Sequence, residues 1–280
     1  MLLPPETQAE ASPLTNLHAR HGNSPGKHGE LIVDGKRLET LAYPPAAGKP
    51  TIVMLHEGLG SVSMWRGFPE QLASTTNCGA LVYSRYGHGR SDALREPRTV
   101  EFMHHEAEVV LPELLNRAEI DHPILLGHSD GASICILHAA AFPEIPRAII
   151  LEAPHVFVED LTISSIAKIR EEYGKSALRA KLARHHQHAD EMFHGWADIW
   201  LNSTFRKWNI EQRLDAVRCP VLVIQGQEDE YGTAAQVAAI ERRVAYPETL
   251  MLPNCGHSPH RDQPHAMLEA SAKFVEKIAQ

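Results

Sequence analysis

Residues 124–131 read ILLGHSDG, an apolar run that passes directly into a Gly-x-Ser-x-Gly turn. The residues that follow, 132–141, have a helical pattern. A sharp turn from a strand into a helix projects the hydroxyl of Ser129 outward, and the glycines two positions to either side avoid clashes in the strained bend. The helix N-terminus also favours negative charge that develops beside the serine. Ser129 is therefore predicted to be a nucleophile, whereas without this context the pattern would indicate only a Gly-rich turn.

Short apolar runs alternate with longer amphipathic ones along the rest of the chain. Several short runs are continuous and rich in β-branched residues, which is typical of strands buried on both faces of a parallel sheet. The predicted strands are 30–33, 37–42, 51–55, 80–84, 124–126, 148–152, 221–225 and 249–252, and the predicted helices are 68–75, 100–117, 131–141, 234–245 and 264–278. This alternation predicts an α/β fold, a mostly parallel eight-stranded sheet flanked by helices.

Two local details of this sheet also follow from the sequence. Asp34-Gly35 separates the first two strands and favours a tight turn, so these strands are expected to form an antiparallel hairpin at one edge. Pro112 lies inside the predicted helix 100–117, where a kink or break is expected.

The chain is expected to divide into an arm and one domain. Residues 1–28 are rich in Pro, Ser, Asn, Gly and His without apolar periodicity, which predicts a flexible arm. Residues 29–280 are predicted to form a single domain. Within it, about residues 155–214 contain helix-like, charged sequence and no convincing strand. Such an insertion would form a helical cap over the carboxyl ends of the strands, where α/β sheets bind ligands.

The composition excludes some partners. The 280 residues are 43% hydrophobic and 22% charged, and the net charge of −8 offers no basic surface for nucleic acid or an anionic membrane. No apolar run is long enough to span a bilayer, and the N-terminal residues lack the pattern of a secretory signal. A cytoplasmic protein with reduced, mostly buried thiols is expected, because the cysteines are scattered and lack CxxC spacing: Cys78, Cys135, Cys219 and Cys255.

A serine nucleophile needs a base, and the base needs an acid that orients it. Asp229 lies in the loop after the predicted strand 221–225, and His257 follows the last predicted strand. The order Ser, Asp, His after three separate strands is the one expected for a nucleophile on such a turn. The local competitors rank below these two residues: Glu228, Glu230, His260 and His265.

On these motifs, the sequence resembles the α/β-hydrolase superfamily across about residues 29–280. The resemblance implies Ser129 as nucleophile, Asp229 as acid and His257 as base. The Gly-x-x-Asp and Gly-His spacings that end at the acid and the base match the family's usual placement. Residues 86–91, YGHGRS, also resemble the family's Arg-Gly-x-Gly-x-Ser loop with Tyr in place of the first Arg, and we interpret them as a structural turn.

Acyl transfer creates a negative oxygen that preorganised backbone N–H groups must receive. One predicted donor is the amide of Asp130, directly after the nucleophile. The second is expected from residues 56–61, HEGLGS, where the family commonly has His-Gly-x with the third residue donating. Glu57 replaces the usual Gly, so the second donor stays open between Gly58 and Glu57. We interpret the Glu57 side chain as a paired structural carboxylate, with a role in substrate polarity or proton handling as the alternative.

The resulting hypothesis is a serine hydrolase that cleaves a small carboxylic ester, thioester or lactone through an acyl-enzyme on Ser129. Glu57, Trp196 and Trp200 are the candidate substrate-binding residues. Aromatic residues of the predicted cap would suit an apolar or aromatic substrate, although packing in a helical core is their commoner use: Phe193, Trp196, Trp200, Phe205 and Trp208. Two alternatives stay open, a carbon–carbon bond hydrolase of the same fold and a non-catalytic ligand-binding protein on that scaffold.

No cofactor or metal is expected. The string HHQH at residues 185–188 and the pair His104-His105 invite a metal hypothesis. Adjacent histidines of a helix cannot all face one ion, so we interpret them as a solvated helical surface. The expected partner is a small-molecule ester, with no nucleic acid and no membrane. The sequence leaves the oligomeric state open, a homodimer included.

Overall fold

The computed structural model describes residues 25–245 and 247–278. Its central sheet has the strand order β1-β2-β4-β3-β5-β6-β7-β8. The strands are β1 (Lys27–Val33), β2 (Lys36–Tyr43), β3 (Thr51–Leu55), β4 (Gly79–Tyr83), β5 (Ile124–His128), β6 (Ala148–Glu152), β7 (Val221–Gly226) and β8 (Glu248–Leu252). The β1–β2 and β2–β4 pairings are antiparallel and the other five are parallel. The predicted mostly parallel eight-stranded sheet is confirmed, as is its edge hairpin with the turn at Asp34-Gly35.

Helices lie on both faces of this sheet. They are α1 (Phe68–Thr76), α2 (Phe102–His105), α3 (Leu111–Arg117), α4 (Asp130–Ala141), α5 (Asp160–Glu172), α6 (Leu178–Leu182), α7 (Ala189–Trp200), α8 (Ala234–Arg243), α9 (Pro259–Asp262) and α10 (Pro264–Ile278). Alternate residues of β3 belong to two separate apolar cores because successive side chains of a strand point to opposite faces. Ile52 and Met54 pack in the core that contains α1 and α10, whereas Val53 and Leu55 pack in the core that contains α3 and α4.

The helix predicted over residues 100–117 is divided. Between α2 and α3 the chain forms a π-helical turn at Glu106–Val110. Pro112 has no N–H and cannot donate to a carbonyl of the preceding turn. The carbonyl of Ala107, five residues earlier, instead accepts a hydrogen bond of 2.9 Å from Nδ1 of the buried His138. The chain stays helical through the proline, and the irregularity there is a π turn that precedes it.

The segment between β6 and β7 is helical, as expected. It contains α5, α6 and α7, followed by two short helical turns. We call residues 160–216 the helical insertion. In the described part of the chain this segment forms no strand of the sheet. Lys27 and His28, which fall in the predicted arm, belong to β1, and most of that arm lies outside the described residues. The division into arm, domain and cap stays a prediction.

Two predictions from composition can be compared with the structure. All four cysteines are buried and free, which confirms the expectation for the thiols. Within residues 25–245 and 247–278, no helix combines the length and the apolarity needed to cross a membrane.

The first turn of α4 packs directly on the end of β3. A Cβ at Gly131 would lie 2.1 Å from the carbonyl oxygen of Leu55 and 2.9 Å from that of His56. Because these atoms belong to the backbone, no side chain can move aside to admit a larger residue. This contact sets the distance between the serine turn and the loop that follows β3.

Gly131→Ala is expected to lower the free energy of unfolding by at least about 2 kcal/mol, because α4 and β3 must separate to admit the methyl group. The matched control is Gly174→Ala in the helical insertion, where nothing lies within 4 Å of an added Cβ. Urea unfolding followed by circular dichroism measures both variants. A Gly131→Ala protein that is as stable as the control would contradict this constraint.

Candidate active site

Ser129 lies in the turn between β5 and α4 with φ 54° and ψ −115°. A positive φ is strained for a residue with a Cβ, and such strain persists only where the surrounding structure imposes it. The N–H of Ser129 donates to the carbonyl of Glu152 on β6 at 2.9 Å, and its own carbonyl accepts from the N–H of Ala132 at 2.9 Å. The side chain lines a cavity, as a nucleophile must.

The structure brings Ser129, His257 and Asp229 together. His257 Nε2 lies 2.9 Å from Ser129 Oγ, and its Nδ1 lies 2.8 and 3.0 Å from the two carboxylate oxygens of Asp229. Oδ1 of Asp229 also accepts the N–H groups of Tyr231 and Gly232. Burial alone would raise the pKa of Asp229, but the charge and hydrogen bonds of these neighbours lower it. The Asp229 carboxylate therefore faces Nδ1 of the His257 ring, and Nε2 is the ring nitrogen that faces Ser129 Oγ.

The competitors for these roles lie elsewhere. Glu230 accepts the backbone N–H of His257 at 3.1 Å and so supports the loop of the base. Glu228 is exposed, and His265, 3.9 Å from Glu269, is exposed too. His260 is buried against a different carboxylate. None of the four hydrogen-bonds to Ser129 in the described part of the chain.

The loop after β3 is fixed by the buried side chain of Arg85. Its Nη2 donates to the carbonyls of His56 at 3.2 Å and of Glu57 at 2.9 Å. The carbonyl and the N–H of a trans peptide point in opposite directions, so the Glu57 carbonyl facing Arg85 directs the N–H of Gly58 away from it. Gly58 and Asp130 both line the cavity. The N–H of Asp130, the first residue of α4, has no acceptor within the helix.

Sequence reasoning did not identify Arg85. This residue is fully buried, and its Nη2 also lies 3.5 Å from the carboxylate of Asp130. Burial raises the pKa of Asp130, and the Arg85 charge opposes that rise. The sequence did contain a signal for Arg85, namely an arginine just after a buried apolar strand. A charged side chain that is buried there needs a buried partner.

A group of buried charged residues lies behind His257. Nε2 of His128 donates to the carbonyl of His257 at 2.7 Å, and its Nδ1 lies 3.5 Å from Glu57 Oε2. Glu152 Oε1 accepts from the N–H of His260 at 2.7 Å and from its Nδ1 at 2.8 Å. Burial alone would lower the pKa of His128, but the carboxylates of Glu152 and Glu57 raise it to about 9. His128 is therefore an imidazolium at neutral pH.

Glu57 is paired with His128 and also lines the cavity. Burial would raise the pKa of Glu57, but the His128 imidazolium lowers it below its usual range. This pairing agrees with our interpretation of a paired structural carboxylate. Glu57 also lines the cavity, so a contact with substrate remains compatible with its position.

His128, Glu152 and His260 are also the one group of described residues with the spacing of a metal site. One potential ligand atom from each lies within 4.8 Å of the others. Imidazole and carboxylate together suit a transition metal such as zinc. Three elements, β5, β6 and α9, supply these residues, so their spacing in the sequence gave no indication of the group.

A cavity of about 220 Å³ opens onto Ser129. The predicted substrate-binding residues Glu57, Trp196 and Trp200 all line it. A Cβ at Gly58 would lie 2.0 Å from Nε1 of Trp196, so the indole packs against the backbone of the loop. The helical insertion supplies most of the apolar wall: Ile166, Leu178, Leu182, Trp196 and Trp200. The remaining three aromatic residues predicted for the cap are buried and do not line the cavity: Phe193, Phe205 and Trp208.

The interpretation of residues 185–188 as a solvated helical surface is wrong for their backbone and for His186, whereas Gln187 and His188 are exposed. Residues 185–188 form a turn between α6 and α7, and His186 is buried. Its Nε2 donates to the carbonyl of Leu59 at 3.0 Å, while Nδ1 accepts the N–H of Gly89 at 2.9 Å. Burial lowers the pKa of His186 to about 4, so the neutral ring serves as both donor and acceptor. These bonds tie the insertion to the loop after β3.

Comparison with known proteins agrees with this architecture. Residues 52–270 match the model of the alpha/beta hydrolase family. The chain is 21% identical to a proline iminopeptidase of Saccharolobus solfataricus over 90% of its length and 93% of that protein. The enol-lactonase of Burkholderia xenovorans has 19% identity and a TM-score of 0.72 over 88% of this chain and 99% of that one. A thermophilic esterase of Thermogutta terrifontis has 17% identity and a TM-score of 0.71 over 91% and 100%.

A parallel sheet in which a strained serine turn follows the fifth strand defines the α/β-hydrolase class of proteins. The match of the family model covers well over half of the chain. The protein belongs to the alpha/beta hydrolase family.

The raised pKa of His128 predicts a pH-dependent stability. A histidine whose pKa rises from 6.5 to about 9 on folding contributes stability that is complete below pH 6.5 and is lost as the pH rises through 9. Between these limits we expect the free energy of unfolding to fall by about 1–3 kcal/mol more in the wild type than in His128→Gln. Urea titrations at several pH values measure this difference.

The control is His138→Gln, which removes another buried histidine. Burial lowers the pKa of His138, so its linkage acts below pH 6.5 and leaves the alkaline slope unchanged. Equal slopes for the wild type and His128→Gln would show that His128 is not protonated in the folded protein.

Proposed function

We propose that the protein is a serine hydrolase that cleaves small carboxylic esters through an acyl-enzyme on Ser129. The observation that carries this proposal is the continuous chain of hydrogen bonds from Ser129 through His257 to Asp229 on the wall of a cavity. Membership of the alpha/beta hydrolase family supports a hydrolytic reaction. That the bond cleaved is an ester is part of what we propose.

In the first step, Ser129 Oγ attacks the ester carbonyl while His257 Nε2 takes its proton. The Asp229 carboxylate orients the ring and stabilises the imidazolium. The N–H groups of Gly58 and Asp130 receive the oxyanion. The orientation of the Glu57 carbonyl towards Arg85 supports Gly58, rather than Glu57, as the second donor. The imidazolium then protonates the leaving alcohol, and the acyl group stays on the serine.

In the second step, His257 takes a proton from water, and the resulting hydroxide attacks the acyl carbon. The bond from the acyl carbon to Ser129 Oγ breaks, and the imidazolium returns a proton to the serine. The acid leaves and the protein regains its starting state. The hydrogen bond from His257 N–H to Glu230 supports this step, because it keeps the loop of the base in place through both proton transfers.

The cavity supports a small acyl group with an apolar or aromatic part. Its volume of about 220 Å³ lies below the range of about 300–1,000 Å³ that is usual for ligand pockets. Trp196 and Trp200 offer ring faces and edges for an apolar group. Thioesters and lactones of similar size would fit the same chemistry, since all three present an acyl carbon to the serine.

Ser129→Ala is expected to lower kcat/KM for nitrophenyl esters by at least about 10³-fold, because the nucleophile is lost. Labelling by a fluorophosphonate probe should be lost with it. Ser164→Ala is the control, since Ser164 is exposed and donates only to the carbonyl of Leu161 in α5. Hydrolysis by Ser129→Ala at the wild-type rate would refute the acyl-enzyme, and an unlabelled wild type would favour a non-catalytic binding protein.

The bond type is tested by a panel of nitrophenyl esters, acyl thioesters, lactones and prolyl amides of matched size. We expect esters to have the highest kcat/KM, because the site described needs only an acyl carbon and a leaving group that His257 can protonate. A higher value for prolyl amides would replace the ester proposal with a peptidase. Cleavage of a dienone carbon–carbon bond in preference to all of these would favour that alternative.

A further inference from the structure

His155 lies in the loop after β6 and lines the cavity, although only 2% of its surface is exposed. Its backbone is held from two sides. Its carbonyl accepts the hydroxyl of Ser133 at 2.6 Å, and the N–H of Val156 donates to the side-chain oxygen of Gln236 at 2.8 Å. The residue therefore has a fixed position beside the reacting groups.

The imidazole of His155 packs between two residues of the site. Its ring centroid lies 5.6 Å from that of His257 and 5.3 Å from that of Trp200, with the indole edge-on. Burial and the adjacent charge of His257 lower the pKa of His155 to about 3, so the ring is neutral. A neutral imidazole carries one N–H donor and one nitrogen acceptor.

Neither ring nitrogen of His155 hydrogen-bonds to another residue in the described part of the chain. Its Nδ1 is a buried polar atom without a partner. Among the residues that line the cavity, as far as the chain is described, His155 is the one with such an atom. Native proteins pair nearly all their buried polar groups, and the exceptions call for an explanation. The other ring nitrogen, Nε2, also lacks a partner in the described chain but is not fully enclosed, so it is the atom that a substrate in the cavity can reach and hydrogen-bond.

We propose that His155 determines specificity by hydrogen-bonding a neutral oxygen substituent, a hydroxyl or a carbonyl, within two to four bonds of the scissile carbonyl carbon. The distance limit follows because the ring contacts both His257 and Trp200. A neutral substituent matches the ring, because a neutral imidazole offers one donor and one acceptor and no charge. This inference rests on the proposed esterase function and narrows its substrates to oxygenated esters.

Such a contact would separate oxygenated esters from their deoxy analogues. A site that is built to hydrogen-bond a substrate oxygen leaves its own polar group unpaired when the oxygen is missing, and it discriminates strongly against that analogue. The wild type should therefore hydrolyse the oxygenated ester at least about 10-fold faster in kcat/KM.

The experiment compares two pairs of esters. One pair places the oxygen on the acyl side, 4-nitrophenyl 2-hydroxy-3-phenylpropanoate against 4-nitrophenyl 3-phenylpropanoate. The other places it on the alcohol side, 2-hydroxyethyl against propyl 3-phenylpropanoate. Dividing each kcat/KM by the rate constant for alkaline hydrolysis removes intrinsic reactivity. The pair that shows the preference identifies the side on which the oxygen lies.

His155→Phe keeps an aromatic ring beside Trp200 and removes both nitrogens. We expect it to reduce the preference to about 1 while the deoxy ester keeps its kcat/KM within about 3-fold. His155→Ala should lose the preference too, and it serves as the second variant if the His155→Phe protein does not fold. Ile166→Val is the control, because it trims the apolar wall and should leave the preference intact.

The same pairs are also scored by how well each ester, present in excess, slows the initial labelling of Ser129 by a fluorophosphonate probe, a measurement that reports occupation of the site rather than release of product. An equal preference in the wild type and both His155 variants, or no preference for either pair, would overturn the role of His155. Loss of all labelling in the wild type would instead refute the proposed function, so the two failures are distinguishable.

Discussion

The backbone of Ser129 is held at a positive φ, which serine avoids. Glu152 holds it there, and the rest of the site is arranged around Glu152. The carbonyl of Glu152 accepts the Ser129 N–H, and the carboxylate of the same residue accepts two hydrogen bonds from His260. His260 lies three residues after His257 in the chain. One residue of β6 therefore connects the nucleophile turn with the loop of the base, and the distance between Ser129 and His257 depends on a strand rather than on two mobile loops.

Buried charges extend this arrangement to the carbonyls that shape the site. The His128 imidazolium donates to the carbonyl of His257, and the Arg85 guanidinium donates to that of Glu57. Removing such charges from water costs free energy that their pairing with carboxylates only partly returns. We therefore attribute their value to position more than to stability. Each of them holds a carbonyl in place, and the N–H of the same peptide points in the opposite direction.

Local patterns were enough to predict the strands and the two residues that the structure brings together with Ser129. Strand burial appears as continuous apolar runs, and Asp229 and His257 each lie in the loop that follows a strand. The residues that support them could not be predicted in the same way. His186 stands in a string of polar residues that resembles a solvated surface, yet its partner Leu59 lies 127 residues away. Glu152 and His260 are 108 residues apart. A single sequence contains no signal for such pairs, because their pairing depends on the packed arrangement of strands.

The helical insertion is coupled to the chemistry as well as to substrate choice. Nε1 of Trp200 donates to the side chain of Asp130 at 3.2 Å, and Trp196 packs on the backbone of Gly58. Both proposed oxyanion donors thus contact a tryptophan that also lines the cavity. If these two residues supply the oxyanion donors as proposed, the fit of a substrate against the indoles and the position of the donors are linked through these contacts. Trp196 and Trp200 both lie in α7, so a change in this helix would alter the wall of the cavity and the contacts with Gly58 and Asp130 together. A relative with 21% identity therefore need not share the substrate.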